Sequence, residues 1–386
     1  MKRLAIIGSG TAGALALAHF LRYTNWHIQW YTDPAIRPQA VGEGSTLELP
    51  TTLYRTLGLR FDEFNLIDAT PKLGIRKTNW GSNLQDFFHY FPPGMYAVHF
   101  NAVKLQNLIA ERLGQHGRVQ RINQHVEHEA IDADFIMDCS GRPQNYNCFH
   151  LCDTIPVNSV YVTQCYWDKA EFEYTLAAAR PHGWVFGIPL QNRASIGYMY
   201  NNSISTLDDV QQDVQAVFDS MCLTPSEHTN SFSFGNYYRQ INYHDRVAYN
   251  GNASFFLEPL EATSIRFMDT INRWTYDLWA GEVDHNQANQ HYLTTIKEIE
   301  TVIMLHYAAG SSWTTPFWQH AQPRGLSNFN HAFSQRVFDP IRDLLTKPVD
   351  ISYNLANFEY GTWGGHSFQQ NLIALGLTNH AGVTQW

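Results

Sequence analysis

Short apolar runs alternate with amphipathic stretches along the first part of the chain. Residues 3–7 are typical of a buried strand, residues 12–22 have the spacing of a helix that opens with small side chains, and residues 26–31 predict a second strand. These three elements form a β-α-β unit within about thirty residues. A helix predicted at 102–113 and a buried strand at 134–138 continue the alternation, which indicates an α/β fold.

The pattern changes after residue 150. Strand-like runs separated by turns across residues 157–200 predict a mostly antiparallel sheet that packs on the first half of the chain. Residues 79–100, rich in aromatic residues, Gly and Pro, are typical of an insertion. Helical spacing dominates the later chain. The helices predicted there cover residues 208–221, 271–280, 286–306 and 331–345.

A glycine fingerprint of the form GxGxxG joins the first strand to the first helix. It includes Gly8, Gly10, Thr11, Ala12 and Gly13. The first glycine permits a tight turn, the second lets backbone N–H groups approach a pyrophosphate, and the third allows close contact between helix and strand. An acid near the end of the second strand binds the ribose in such sites, and Asp33 lies about twenty residues after Gly13. The segment therefore predicts a dinucleotide site.

Two later segments favour FAD as the dinucleotide. Residues 138–141 (DCSG) follow a buried strand and resemble the second pyrophosphate-side loop of large flavoproteins. Gly251 and Asn252 precede an apolar stretch and a helix, and they resemble the loop that closes over the flavin ribityl chain. The sequence has no second glycine fingerprint for NADPH. A flavoprotein without its own nicotinamide site most simply receives reduced flavin from another protein.

Composition and charge narrow the classes of partner. The 386 residues carry a formal net charge of −9, which argues against nucleic acid or an anionic membrane because both bind basic surfaces. Hydrophobic residues make up 44% and charged residues 16%, as in globular proteins. The 11 Trp, 20 Tyr and 23 Phe are explained first by a packed core, and they also suit a site for flat organic molecules.

Cysteine usage and the lack of targeting signals bear on location. The five cysteines form no regular disulfide framework, which predicts a reducing compartment. Cys148, His150 and Cys152 lie close in sequence, but no second cluster completes four zinc ligands, so we expect no metal site. The sequence opens on the first strand without a cleavable signal peptide, and no apolar run is long enough to span a bilayer. We therefore expect a soluble cytoplasmic protein.

Four separate segments resemble the flavin-dependent halogenases of the tryptophan-halogenase type. Residues 41–46 (VGEGST) resemble that family's GEAT-type loop against the flavin, and residues 71–81 (PKLGIRKTNWG) resemble the segment with its essential lysine. Residues 184–189 (WVFGIP) resemble its WxWxIP signature, and residues 256–265 (FLEPLEATSI) resemble the loop that binds flavin and halide and carries the catalytic glutamate. Their order and spacing match the family, and the chain is also similar to its compact, phage-type members. The resemblance is firm to about Met268 and general beyond it.

The resemblance implies a fold, a cofactor and partners. The implied fold is an FAD-binding, Rossmann-like α/β domain of the GR2, flavin monooxygenase-like type over residues 1–270, interleaved with a sheet at about 151–240. Residues 271–386 would form a mainly helical region that binds substrate. A separate flavin reductase would supply reduced FAD, which with O2 and a halide ion yields hypohalous acid for a small aromatic substrate. Contacts to the cofactor are implied for Gly42, Glu43, Gly44, Val126, Gly141 and Ile265.

The matched residues also have implied roles. Lys72 holds the oxidised halogen, either as an ammonium through a hydrogen bond or as a neutral amine through a haloamine, and passes it to an electron-rich ring. Glu261 orients the reagent and accepts the proton that the ring loses. Backbone N–H groups near Thr263 and Ser264 bind the halide. A wall that keeps the substrate off the flavin is formed by Trp184, Phe186, Ile188 and Pro189.

Each of these residues has an ordinary interpretation as well. A lysine is most often a solvated surface group. Lys77 is the nearest competitor of Lys72 and could be the surface lysine of the two. Glu261 could cap the helix that follows it, and Glu258 could take its catalytic role. Trp184 and Phe186 point the same way along a strand, as core residues do. The aromatic cluster at 357–366 could line a substrate pocket or pack the C-terminal helices.

Three positions depart from the family pattern. Phe186 replaces the second Trp of the signature, Ala262 replaces the usual Ser beside the glutamate, and Asp33 stands where many relatives have Glu. These changes bear on halide preference and substrate more than on the class of reaction.

Two other functions compete with halogenation. A flavin monooxygenase of the same fold would hydroxylate its substrate directly at the flavin, and it needs neither Lys72 nor the wall at 184–189. A protein that uses a nucleotide-binding fold only to bind partners would bind no FAD.

Overall fold

The computed structural model describes residues 1–36, 43–81, 86–92, 94–339 and 358–380. The chain divides into two compact units, each assembled from three stretches of sequence. The first unit contains Met1–Ala69, Val98–Leu151 and Tyr237–Thr294. The second unit contains Thr70–Ala97, Cys152–Asn236 and Thr295–Trp386.

Helices and short strands alternate along the described residues. The strands are β1 (Arg3–Ile7), β2 (His27–Tyr31), β3 (Thr70–Lys72), β4 (Gly74–Thr78), β5 (Asp86–Tyr90), β6 (Ala97–His99), β7 (Val119–Ile122), β8 (Phe135–Asp138), β9 (Phe149–Leu151), β10 (Ser159–Tyr166), β11 (Thr175–Arg180), β12 (Gly183–Pro189), β13 (Arg193–Tyr200), β14 (Pro225–Ser233), β15 (Tyr237–Arg239), β16 (Tyr243–His244), β17 (Val247–Tyr249), β18 (Phe255–Phe256), β19 (Glu359–Tyr360) and β20 (Trp363–Gly364). The helices are α1 (Thr11–Tyr23), α2 (Glu48–Leu57), α3 (Ala102–Leu113), α4 (Leu207–Ser220), α5 (Thr263–Ala280), α6 (His285–Ala309), α7 (Pro316–Ser334), α8 (Gly365–Ala374) and α9 (Leu377–His380). No helix in the described ranges is both long enough and apolar enough to cross a membrane.

The first unit is built on a six-stranded sheet in the order β16-β17-β8-β1-β2-β7. Residues 4–7 of β1 are all buried, as expected for a parallel strand that is covered on both faces. β1 pairs in parallel with β2 and β8, which places Ile7 beside both Tyr31 and Asp138. β17 continues the parallel order, with Tyr249 beside Asp138. The carboxyl ends of four strands therefore meet at one edge of the sheet, where α1 begins.

The second unit is built on a seven-stranded sheet in the order β14-β10-β13-β12-β11-β4-β5. Only β11 and β4 pair in parallel, so the antiparallel sheet predicted for residues 157–200 is confirmed. Val210, Val214 and Phe218 of α4 pack on one face of this sheet, in a cluster with Val185. Because successive residues of a strand point to opposite faces, the two neighbours of Val185 in β12 face the other way.

One prediction of secondary structure is wrong. Instead of a helix at 331–345, α7 runs from Pro316 to Ser334 and residues 335–338 form turns; residues 340–345 lie outside the described ranges. α7 begins with Pro316, a residue suited to the first helical turn, but contains Pro323, which breaks the expected periodicity. Residues 70–97 lie between two stretches of the first unit but belong to the second, which agrees with the insertion predicted at 79–100. Within this segment, β5 forms an edge strand of the seven-stranded sheet.

Candidate active site

The glycine fingerprint closes tightly against the sheet of the first unit. Gly8 has a φ of +104°, and a Cβ atom there would lie 2.3 Å from the Cys139 carbonyl oxygen. A Cβ atom on Gly13 would lie 2.1 Å from the Gly8 oxygen, so both positions require glycine for close approach. A Cβ atom on Gly10, by contrast, would have no heavy atom within 4 Å. The middle glycine therefore faces open space at the start of α1.

The start of α1 has the electrostatic character of an anion site. Gly10 caps the helix without a side-chain hydrogen bond, and the first turn contains no acidic residue. The backbone N–H groups of a first helical turn have no partner within the helix and carry partial positive charge. An open glycine above them matches the space that a pyrophosphate occupies in dinucleotide-binding folds.

A second glycine loop closes on the first turn of α1. Gly251 has a φ of +58°, and a Cβ atom there would lie 2.6 Å from the Cβ of Ala12. The loop is fixed by Asn250, a fully buried residue that sequence reasoning did not single out. Its side chain accepts the Gly251 N–H at 2.7 Å and donates to the Met268 carbonyl and to Asn272 Oδ1, each at 2.9 Å. Asn250 thus joins the loop at 251–253 to α5.

Gln106 on α3 is another polar residue that the sequence did not indicate. Its Nε2 donates to the hydroxyl of Thr11 at 3.0 Å, and the residue is 4% exposed. Its buried Oε1 atom has no hydrogen-bond partner within the described ranges. An unsatisfied buried acceptor is costly unless a ligand completes it, so Gln106 marks a place for a donor such as a hydroxyl group next to the fingerprint.

The predicted ribose residue lies where β2 ends. One oxygen of Asp33 accepts the N–H of Ala35 at 2.8 Å, and the other lies 3.4 Å from His125. Val126, next to His125, packs against an apolar cluster that includes Tyr31 at the end of β2. Asp33 and Val126 therefore border the same end of the sheet as the fingerprint.

An ion pair between the half-buried His128 and the buried Asp138 lies at the end of β8. His128 Nε2 lies 2.8 Å from one oxygen of Asp138, and the other oxygen accepts the Ser140 N–H at 2.8 Å. Burial acts to raise the pKa of Asp138, but the hydrogen bonds from His128 and Ser140 outweigh it and the pKa is lowered. The same bond raises the pKa of His128. Gly141 follows with no heavy atom within 4 Å of its Cβ position, so this side of the loop is open.

The described part of the GEAT-like loop lies against the loop of the predicted glutamate. The Glu43 carbonyl accepts the Phe100 N–H at 2.9 Å, and Ser45 bonds to Val98 through both its N–H and its hydroxyl. A Cβ atom on Gly44 would lie 3.4 Å from the Cβ of Ala262. Two of the four family-like segments therefore meet in the first unit. Gly42 lies outside the described residues.

The loop before α5 has an unusual backbone. Glu261 and Ala262 have φ values of 72° and 54°, in the left-handed region that residues other than glycine rarely adopt. Each such residue costs about 1–3 kcal/mol, and strain of this kind is concentrated at functional sites. α5 begins directly afterwards at Thr263, with no side-chain cap and no acid in its first turn. The N-cap residue of α5 is therefore Ala262 and not Glu261.

Several predicted residues surround this helix start. Thr263 is 2% exposed, Ser264 is half-buried and Ile265 is buried, all in the first turn of α5. Glu261 is 7% exposed and Glu258 is fully buried, so burial alone does not decide which glutamate is catalytic. The uncapped N–H groups of this turn provide donors for a small anion.

Lys72 is wholly buried at the end of β3. Its ammonium nitrogen lies 5.7 Å from the centre of the Phe91 ring. Two residues earlier, the hydroxyl of Thr70 donates to the carbonyl of Pro189 at 2.7 Å. A buried lysine is rare because its charge loses hydration, so the surface interpretation of Lys72 is wrong. The bond to Pro189 also brings the lysine segment to the end of the WVFGIP segment.

The expectation that Lys77 is the surface lysine is wrong as well. Lys77 is fully buried, and its ammonium bonds to His306 Nε2 at 2.6 Å and to Asn371 Oδ1 at 2.5 Å. It also faces the ring of Trp363, at 5.3 Å from the ring centre. Trp363 itself is buried against Phe368, so at this position the aromatic cluster at 357–366 packs the protein interior. Asn357 lies outside the described ranges.

The WVFGIP segment forms β12, with its two aromatic residues on one face. Trp184 is 1% exposed and Phe186 is half-buried, and their ring centres are 6.2 Å apart. Val185 faces the opposite side, in the cluster packed by α4. Ile188 follows on the aromatic face and is half-buried, and Pro189 is buried at the end of the strand.

Together, these features of the first unit define a class of protein. A parallel sheet, a glycine fingerprint pressed against it and a second glycine loop over the helix start are typical of Rossmann-like dinucleotide-binding flavoproteins. The family model described as tryptophan halogenase matches residues 3–123 and 103–381. The chain therefore belongs to the tryptophan halogenase family, a family of flavin-dependent enzymes, and the family predicted from the sequence is confirmed.

Individual relatives are distant in sequence and close in fold. The chain is 24% identical to tryptophan 7-halogenase RebH of Lentzea aerocolonigenes over 426 residues, covering 82% of this chain and 78% of RebH. It is 23% identical to 7-chloro-L-tryptophan 6-halogenase KtzR of Kutzneria sp. (strain 744), covering 60% of this chain and 50% of KtzR, so the match spans about half of that relative. The crystal structure of a tryptophan halogenase from Shewanella frigidimarina has a TM-score of 0.79 at 19% identity, covering 97% of this chain and 89% of that one. This likeness confirms the predicted fold class.

Proposed function

We propose that the protein is a flavin-dependent halogenase that transfers an oxidised halogen through Lys72 to an electron-rich aromatic ring. When bound, reduced FAD with O2 supplies the oxidising chemistry that converts chloride, bromide or iodide to hypohalous acid. The observation that carries the proposal is the complete burial of the Lys72 side chain. A lysine at the protein surface would lose hypohalous acid to the surrounding water. A lysine that is shielded from water can instead retain it.

The residues of the first unit fit an FAD. The open side of Gly10 and the uncapped start of α1 would hold the pyrophosphate. Asp33 would bind the adenosine ribose, with Val126 beside it. The loop at 251–253, fixed by Asn250, would cover the ribityl chain.

The remaining cofactor contacts follow from the same arrangement. Thr11 and Ala12 lie in the first turn of α1, and Gly141 leaves one side of the β8 loop open. On the isoalloxazine side we assign Glu43 and Gly44, together with Ile265 in the first turn of α5. Reduced FAD would come from a separate reductase, because the sequence has no second nucleotide fingerprint.

The start of α5 would hold the halide. Thr263 and Ser264 lie in the first turn of α5, whose N-cap residue Ala262 makes no side-chain cap bond, and helix starts of this kind favour anions. The left-handed backbone of Glu261 and Ala262 fixes where the N–H groups of this turn point. Ala262 places a methyl group where the family usually has a hydroxyl, which reduces the polar contacts next to the halide.

Lys72 would hold and deliver the halogen. As an ammonium it donates a hydrogen bond to the oxidised halogen, and as a neutral amine it can carry the halogen covalently. Glu261 orients the reagent and accepts the proton lost from the ring after substitution. Trp184, Phe186, Ile188 and Pro189 form the wall that keeps the substrate off the flavin.

A product assay tests the function. The protein is incubated with FAD, a flavin reductase, NADH and each halide in turn over a panel of indoles, phenols, pyrroles and anilines, and products are identified by mass spectrometry. We expect halogenated products that require halide and that fall to background in Lys72→Ala, while FAD binding by that variant stays unchanged. Hydroxylated products that form equally in wild type and Lys72→Ala would instead assign the protein as a monooxygenase.

The substrate is expected to be a small aromatic molecule. Electrophilic halogenation requires an electron-rich carbon, and indoles, phenols, pyrroles and anilines all provide one, so we expect a broad range of accepted arenes. A kinetic screen checks this expectation. Strong preference for free tryptophan over unrelated arenes would contradict it.

A further inference from the structure

The ring of Phe186 lies directly over the backbone of its neighbour in the sheet. Gly197 of β13 pairs with Phe186 of β12. A Cβ atom built on Gly197 would lie 2.0, 2.3 and 2.8 Å from the Cζ, Cε1 and Cε2 atoms of that ring. Non-bonded carbons make favourable contact at about 3.5–4.0 Å, so the ring occupies the space that any side chain at 197 would need.

The backbone does not explain a glycine at position 197. Its φ lies outside the left-handed region, since Gly197 is absent from the positive-φ glycines of the described chain. Glycine in the interior of a strand weakens the strand and often marks the close approach of another group. Here the approaching group is the end of the Phe186 ring.

The neighbouring glycine of β12 provides a contrast. A Cβ atom on Gly187 would face the opposite side of the sheet, at 3.1 Å from Leu176 and 3.3 Å from Ile196. Those contacts are tight but ordinary side-chain packing in the cluster beneath α4. The severe overlap with an aromatic ring therefore belongs to Gly197.

The register across the sheet shows why the ring can lie in this direction. Phe186 pairs with Gly197 on one side and with Ala177 on the other, so it stands between two small residues. Of these two, only glycine allows the ring to lie flat across the neighbouring strand. The overlapping atoms are the far end of a side chain, so an alanine at 197 would displace the ring rather than the strand.

We propose that Gly197 is a positioning residue for the wall, because it lets the Phe186 ring lie across β13 and so fixes where the wall stands. This inference rests on the proposed function of Phe186 as part of the partition between substrate and flavin. Phe186 replaces the second Trp of the family signature. In this chain the partition therefore depends on two residues, Phe186 for its ring and Gly197 for the space that the ring occupies.

A double-mutant cycle tests the inference. The variants are Gly197→Ala, Phe186→Leu and the two combined, since leucine lacks all three ring atoms that overlap with the added methyl group. The readouts are halogenated product formed per NADH consumed, hydrogen peroxide released, the Kd for FAD and the Tm. Gly117→Ala is the control, because a Cβ atom there has no neighbour within 4 Å.

We expect Gly197→Ala to lower the halogenated product per NADH by about threefold or more, with a matching rise in peroxide and an unchanged Kd for FAD. In the Phe186→Leu background the same substitution should change this ratio by less than about 1.5-fold, because coupled residues are non-additive. An effect of Gly197→Ala that is absent, or that is equal in both backgrounds, would overturn the inference.

Two further outcomes keep the test decisive. If Gly197→Ala does not fold, recovery of folding in the combined variant supports the steric link, and failure to recover overturns it. If the wild-type protein forms no halogenated product at all, the proposed function fails on its own. The Tm values of the four proteins then still test the steric link, which predicts that the loss of Tm caused by Gly197→Ala shrinks in the Phe186→Leu background.

Discussion

Replacement of Asn250 by alanine should loosen the loop that we assign to the flavin. Asn250 is fully buried, and its amide makes one hydrogen bond to Gly251, one to Met268 and one to Asn272. Each bond contributes about 0.5–1.5 kcal/mol net, and partners left buried without a bond add to the loss. We therefore expect the free energy of unfolding to fall by about 2–5 kcal/mol.

The partners of Asn250 have few alternatives. The Nδ2 atom of Asn272 has no hydrogen-bond partner among the residues described. Removal of the Asn250 amide would also deprive the Oδ1 atom of Asn272 of the bond that it accepts from Asn250. The Gly251 N–H loses its acceptor in the loop that lies on Ala12. Because this loop would close over the cofactor, we expect the Kd for FAD to rise by about tenfold, equivalent to about 1.4 kcal/mol.

The assay combines urea unfolding of the protein without FAD with fluorescence titration of FAD. Asn147→Ala is the matched control, since Asn147 is exposed and should change neither quantity. An Asn250→Ala protein with wild-type stability would refute the stated energetics of the hydrogen bonds. Lower stability with an unchanged Kd for FAD would refute the placement of the loop over the flavin.

Three more predictions follow from the site. Gly10→Ala should leave the Tm of the FAD-free protein unchanged, because its Cβ atom has no neighbour within 4 Å, but should raise the Kd for FAD by about tenfold or more in titration; equal affinity would contradict the pyrophosphate site. Glu261→Gln should reduce the rate of halogenated product formation by about 100-fold or more, measured beside an assay that traps the oxidised halide. A loss of rate seen only in Glu258→Gln would instead assign the role of catalytic glutamate to Glu258. His128 has a raised pKa, so its contribution to stability is complete below its ordinary pKa of 6.5 and disappears as pH rises through the raised value. Urea unfolding should show this decline in wild type and lose it in His128→Ala; an identical pH profile would argue against the ion pair with Asp138.

Local features of the chain were predictable from the sequence. The strand at residues 3–7, the fingerprint and the helix after it form one continuous stretch, and the roles of Gly8 and Gly13 follow from geometry that any such turn requires. α5 was predicted only in its later part, at residues 271–280, although the helix begins at Thr263.

Contacts between distant parts of the chain were not predictable in this way. Lys77 bonds to His306 and Asn371, which are 229 and 294 residues away in sequence, so no local pattern could distinguish it from a surface lysine. Asn250 likewise looks like an ordinary turn residue, although its amide reaches α5. α7 was missed because Pro323 lies inside it, and proline is ordinarily evidence against a helix interior.

A single-turnover measurement shows whether reduced FAD and Lys72 of this protein together halogenate an aromatic ring. FAD is reduced photochemically without oxygen, mixed with the protein, bromide and an electron-rich indole, and then exposed to O2 in the absence of any reductase or NADH. We expect a brominated indole, recognised by the paired isotope peaks of bromine, from the wild-type protein and none from Lys72→Ala. Hydroxylated indole that forms without bromide, and equally in Lys72→Ala, would contradict it.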